Sequence, residues 1–232
     1  MISGTIGYIK LKNNEYEYLF FLDNHLDETY CLKNKIFLHE VFDKLYPINS
    51  YNLFIEEPII DKHLELEFKS EHVLKYLEYI KNKNVIKFDI RYCNLGISEM
   101  INILEKFIKD KKNLPKMLST HLMKIKKLFI KLQKGGKYID IYKPFINSQT
   151  VSEESILDSL MEFYLILMLL TVNKKNNIIY SGAIHCIIIS RLLSKFYGFQ
   201  IIKDVNMNLN DKLNLEDFDK FPNCTNLSDL IK

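Results

Sequence analysis

The sequence predicts an α/β fold, a single domain with a mainly parallel central sheet flanked by helices. Three observations carry that expectation. Apolar runs of strand length recur along the chain, and longer segments of helical period separate them. Each run also ends in polar residues, as strands do where a parallel sheet opens on a crevice. Tyr18 to Leu22 runs into Asp23, Asn24 and His25, and Asn52 to Ile55 runs into Glu56, Glu57 and Pro58. Val85 to Phe88 runs into Asp89, Ile90 and Arg91, while Asn177 to Tyr180 runs into Ser181, Gly182, Ala183, Ile184 and His185.

Taken in order, Thr5 to Leu11 reads as a short strand that turns at Asn13-Asn14 into the strand ending at Leu22. From Asp27 to Leu45 the apolar positions Leu32, Ile36, Val41, Phe42 and Leu45 repeat at helical spacing, and Pro47 with Asn49-Ser50 ends that helix. Leu64 to Ile80 is amphipathic, and Asn82-Lys83-Asn84 turns the chain into the third main strand. Only helical signals follow. Ile97 to Ile108 forms one helix, and Pro115 opens another in which Leu118, Leu122, Ile125, Phe129 and Leu132 recur. Gly135-Gly136 stops it. Thr150-Val151-Ser152-Glu153 is a capping box for a third helix, apolar almost all round from Ile156 to Val172 and so expected to be buried on most sides. These helices, about residues 97–172, form an insertion between the third and fourth main strands. A strand, a helix from Ala183 to Phe196 and a last strand near Phe199 to Ile202 close the domain at about residue 203. Residues 204–232 read as an Asn- and Asp-rich tail that is irregular or wraps the surface.

Length and composition narrow the function classes. A chain of 232 residues with 47% hydrophobic and 26% charged residues has the balance of an ordinary globular protein. A net charge of +3 does not by itself indicate a nucleic-acid protein. The charge is unevenly spread, however. Residues 106–143 hold twelve lysines against Asp110 and Asp140, whereas residues 204–232 hold six acids against three lysines. The lysine-rich stretch reads first as a solvated face; its sharper reading is a contact for nucleic acid, an anionic membrane or an acidic partner. The longest apolar run, Phe163 to Val172, is too short to cross a bilayer. Cys31, Cys93, Cys186 and Cys224 show no CxxC spacing, so reduced thiols and a protein that is not secreted are expected.

The strand ends carry the candidate chemistry. Asp23, Asn24 and His25 with Asp27 and Glu28 combine an imidazole with carboxylates, the donor set of a catalytic Zn, Mn or Fe site, although Asp27 equally suits a helix cap. Glu56 and Glu57 alternate faces on a strand, so one of them can reach the crevice as metal ligand or general base. Asp89 and Arg91 share a face, either as an ion pair or with Arg91 presenting its planar fork to an anionic substrate group. At Ser181, Gly182 and His185 a tight strand-to-helix turn offers free amides to an anion. There the helix dipole favours a neutral His185, as a ligand or acid/base group. Glu162, at the start of the apolar helix, needs a partner and is a candidate to support the site. His39, His63, His72 and His121 lie in helical or loop stretches and read as structural.

LDNH, FIEEP, FDIR, MEFYL and YSGAIH, in that order over residues 17–203, resemble a group of proteins of nucleocytoplasmic large DNA viruses. That group is similar to the erythromycin esterase, ChaN, TraB and TIKI superfamily. The resemblance implies a Gly-[Glu/Asp]-x-His motif after the first strand, an acidic end to the second and a late Gly-x-x-His motif. Asp23 with His25, Glu56 or Glu57, and Gly182 with His185 occupy those places. Leu22 stands where the first Gly is expected, and the late motif has one His where some members have two. The implied protein is a viral, host-cytoplasmic or virion protein, a metal-assisted hydrolase of a small ester, amide or phosphate. In it Asp23, His25, Glu57 and His185 would be catalytic, and His25, Glu57 and His185 would hold a divalent Zn, Mn or Fe ion. Arg91, Ser181 and Gly182 would bind substrate, supported by Glu56, Asp89 and Glu162. The alternative is a catalytically inactive virion or host-interaction protein on the same fold.

Overall fold

The computed structural model describes residues 2–24, 36–59, 83–91, 96–111, 114–134, 153–207, 209, 224–226 and 230. The elements are β1 (Ile2–Ser3), β2 (Gly7–Lys12), β3 (Glu17–Asp23), β4 (Ile36–Phe37), α1 (Leu38–Leu45), β5 (Tyr51–Pro58) and β6 (Val85–Asp89). They continue with α2 (Ile97–Asp110), α3 (Lys116–Gln133), α4 (Glu153–Leu169), β7 (Asn176–Gly182), α5 (Ala183–Tyr197), β8 (Gln200–Val205) and β9 (Cys224–Thr225). The chain divides into two compact units, one of Met1–Glu56, His63–Lys87 and Lys174–Lys232, the other of Glu57–Lys62 and Phe88–Asn173.

The α/β class holds, but the sheet is mixed rather than mainly parallel. Six strands run in the order β6-β5-β7-β3-β2-β8. β7 pairs parallel with both β3 and β5, whereas β2 pairs antiparallel with β3 and with β8. The cause is local. Asn13 Oδ1 accepts from the N–H groups of Glu15 and Tyr16 at 2.9 and 2.7 Å, closing a turn too short for a crossover. β2 therefore returns beside β3 as a hairpin and is the reversed strand. β8 again points the same way as β7, because α5 carries the chain back between them. Gly198, at φ 73°, supplies the left-handed residue that ends α5 and donates its N–H to the carbonyl of Leu193.

Alternation along the strands builds the core of the first unit. Leu19 and Phe21, Leu53 and Ile55, and Ile178 and Tyr180 form one buried cluster with Leu38, Val41 and Phe42 of α1. The rings of Phe21 and Phe42 are 5.6 Å apart. The intervening residues Phe20, Phe54 and Ile179 are also buried and point to the other face. α5 packs against β2, β3 and β7 and is buried from Cys186 to Leu193.

Three further expectations are corrected. Ile36, placed in a helix by its spacing, lies in β4, paired in parallel with β1, and the described helix begins at Leu38. The tail is not wholly irregular. β8 reaches Val205, the Leu209 carbonyl accepts from Arg191 Nε at 2.8 Å, and β9 pairs antiparallel with β1. Cys224 is disulfide-bonded rather than reduced, whereas Cys186 is a free, buried thiol. Sequence spacing carries no sign of that bond. The amphipathic segment read over 64–80 lies outside the described residues.

In the second unit α2, α3 and α4 pack on one another. α4 is the buried one, with Leu160, Met161, Phe163, Leu165, Ile166, Leu167 and Leu169 each at most 2% exposed. No described helix is long and apolar enough to cross a membrane. His121 of α3 is 6% exposed and meets Phe163 edge-on at 5.4 Å between ring centroids. Burial, with Lys124 adding to it, holds the His121 pKa below its ordinary 6.5. A lowered folded pKa means that the unfolded chain takes up the proton first. The His121 contribution is therefore complete above about pH 6.5 and is lost as pH falls below it. His121→Phe should flatten that acid limb of the stability curve, as read by urea denaturation from pH 7.5 to 4.5.

Candidate functional site

In the first unit, the carboxyl ends of three adjacent strands meet at the start of α5. Register sets Asp23 of β3 opposite Gly182 of β7, and Ile55 of β5 opposite Tyr180. Glu56 therefore arrives level with Ser181. On β5 it has the parity of Phe54, and on β7 Ser181 has that of Ile179, so both project to the sheet face opposite the α1 cluster.

Glu56 is the hub. Its Oε2 accepts from the Ser181 hydroxyl at 2.6 Å and from the Gly182 N–H at 2.7 Å. Gly182 is the N-cap of α5 and brings no capping side chain of its own. The carboxylate thus serves as a cap borrowed from a neighbouring strand, and its charge suits the positive end of the helix dipole. Its Oε1 lies 3.6 Å from His185 Nε2, with the Glu56 and His185 side chains 5% and 13% exposed. That separation is beyond an ordinary hydrogen bond and within ion-pair range when the imidazole is protonated. Asp23 is buried in the same unit.

Cys186, next to His185, is fully buried and donates to the carbonyls of Ser181 at 3.4 Å and Phe21 at 3.6 Å. Burial pushes its thiol pKa well up, and the charges of Glu56 and Asp23 push it further. It is a packed thiol, not a nucleophile.

Sequence reasoning made Glu57 the working carboxylate and Glu56 its support. In the first unit it is Glu56 that meets Ser181, Gly182 and His185. Glu57, 8% exposed, takes the alternate parity on β5 and belongs to the second unit. The parity shared with Phe54 was readable in advance; which face α5 would cover was not. His25, with Asp27 and Glu28, lies outside the described residues, as do His63 and His72.

In the second unit, Arg91 is engaged on every side of its guanidinium. Nε and Nη2 donate to Asp89 Oδ1 and Oδ2 at 3.1 and 3.0 Å, and Nη1 donates to Asp158 Oδ1 at 2.6 Å. The Arg91 backbone N–H also donates to Asp89 Oδ1 at 2.9 Å. Of the two readings the sequence left open, this geometry is the ion pair. Asp158, on α4, is the partner that the sequence did not reveal. Glu162, also on α4, is 1% exposed.

Among the described residues no group of three or more His, Cys, Asp or Glu can hold a metal ion. Glu56 and His185 provide two donors, and the described residues do not by themselves fit the expected metal site. Compared with known proteins, the chain matches no family model, no curated protein and no solved structure.

Proposed function

We propose that this protein is a hydrolase of small esters, amides or phosphates, with Glu56 and His185 as its acid/base pair. The observation that carries this reading is the position of His185 Nε2, 3.6 Å from a Glu56 carboxylate anchored through its other oxygen. A carboxylate fixed by two donors cannot swing away, so it orients the imidazole and stabilises the imidazolium form. The imidazole then takes a proton from an attacking water and returns it to the leaving group, a role worth about 10²- to 10⁴-fold in rate. Asp23 and the amides at the start of α5 would shape the charge around the substrate. A divalent Zn, Mn or Fe ion enters the same proposal through His25, which with His185 and Glu56 would make three donors. The resemblance of its motifs to viral proteins supports an activity in the host cytoplasm or the virion.

One observation favours a second reading. Glu56 Oε2 is spent on capping α5, which a catalytically inactive platform for virion or host contacts would also need.

Hydrolysis of nitrophenyl esters, anilides and phosphates, with metal content measured on the same preparations, tests the proposal. Wild type should turn over one of these classes. His185→Ala should lose at least about a hundredfold in kcat. Unchanged turnover in His185→Ala would reject the acid/base assignment. A stoichiometric metal lost in His25→Ala would add the ion to the site.

A further inference from the structure

The face of α3 that the fold leaves open has a composition the hydrolase reading does not use. Leu118, His121, Leu122, Ile125 and Leu128 are buried, while Lys116, Met117, Ser119, Thr120, Met123, Lys124, Lys127 and Ile130 are exposed. Met123 and Ile130 are one heptad apart, and Lys116 lies a heptad before them, so the three form one row along the helix. Thr120, Lys127 and the exposed Lys134 form the row beside it. Met117, Met123 and Ile130 are 38%, 50% and 48% exposed, unusually open for side chains of this size. No Asp or Glu occurs between 116 and 133. Among the described residues the acid paired with this helix is Glu105 of α2; it is held by Lys126, and its pKa is lowered mainly by that hydrogen bond.

We infer that this face of α3 docks on an anionic lipid surface. Charge complementarity selects a negative partner, and the interleaved methionines and isoleucine select one with an apolar layer beneath its charge. A bilayer of acidic lipids offers both at a depth short side chains reach, while lysine stems carry their ammonium groups up to the phosphates. A nucleic acid would use the lysines but leave Met117, Met123 and Ile130 in water. Single strands bind on aromatic platforms, which this exposed face lacks. The contact is peripheral and reversible, since the rest of α3 is committed to packing.

Co-sedimentation of the full chain with phosphatidylcholine vesicles, with and without phosphatidylserine, tests the inference, alongside a duplex DNA arm. The protein should pellet with acidic vesicles, stay in solution with neutral ones and release as salt is raised. Lys124→Glu with Lys127→Glu should weaken binding at least tenfold, at about fivefold per lysine. Met123→Ser with Ile130→Ser should weaken it comparably with the charge unchanged. All four positions are exposed, and an unchanged circular dichroism melt will show that the variants fold. Failure to pellet with acidic vesicles overturns the inference. Binding to DNA that the serine variant keeps, with vesicle binding also unaffected, overturns it in favour of simple phosphate attraction.

Discussion

Replacing Arg91 with methionine should cost the protein on the order of 3 kcal/mol, among the largest losses available from one side chain. Asp89 is only 2% exposed, and its two oxygens receive three hydrogen bonds from Arg91, two of them from the guanidinium. Methionine keeps most of the volume and removes the charge. It leaves a buried carboxylate with the backbone N–H bond but no counter-ion, and that desolvation cost dominates over the lost attraction itself. Asp158 is 33% exposed and can recover water, so its share is small. Lysine at position 91 should fall between wild type and methionine, because an ammonium cannot span both oxygens of Asp89 while reaching Asp158. Asp89→Asn combined with Arg91→Met should cost less than the methionine variant alone. Urea denaturation followed by circular dichroism reads the three variants against wild type. A loss below about 1 kcal/mol for Arg91→Met would mean that Asp89 is hydrated and the cluster behaves as a surface ion pair.

How this cluster and the site were legible follows from what alternation and spacing can carry. Two residues apart, Asp89 and Arg91 are expected to share a strand face; β6 instead ends at Asp89, and Arg91 meets it from the turn that follows, where its backbone N–H donates to Asp89 Oδ1. Asp158 lies 67 positions further along and joins them only when α4 packs, which no local pattern records. The same limit applies at the ends of β3, β5 and β7. Polar residues there were visible as strand terminators, and parallel register sets Asp23 beside Gly182 and Glu56 level with Ser181. Choosing between Glu56 and Glu57 needed the knowledge of which sheet face α5 covers, a tertiary fact. The reversal of β2 was half legible. The Asn13-Asn14 turn announced a hairpin, but not that β2 would separate β3 from β8 and make the sheet mixed. Ile36 shows tertiary pairing overriding helical spacing, and Cys224 a covalent link that its sequence neighbours do not betray.

Glu56→Ala and Glu56→Gln together should separate what this carboxylate does for the fold from what it does for chemistry. Alanine removes the acceptor of the Ser181 hydroxyl and the Gly182 N–H, both part-buried, and takes the negative charge from the start of α5. Each of the two unsatisfied donors, the Gly182 N–H being the cap itself, costs about 1 to 2 kcal/mol, so a loss near 3 kcal/mol is expected, moderated by any water that enters. Glutamine has nearly the same shape. Its carbonyl oxygen can accept at the cap, and its amide can face His185, so the loss should be only about 1 kcal/mol. What glutamine cannot supply is charge. A neutral amide does not stabilise an imidazolium and can fix the wrong tautomer of His185, so if the pair is catalytic the glutamine variant should stay folded and lose roughly 10²-fold or more in kcat. The informative contrast is between the two readouts. Glutamine that melts close to wild type and is inactive places the function of Glu56 in proton transfer. Glutamine that keeps full turnover, while alanine still loses about 3 kcal/mol, makes Glu56 a helix cap borrowed across the sheet and nothing more.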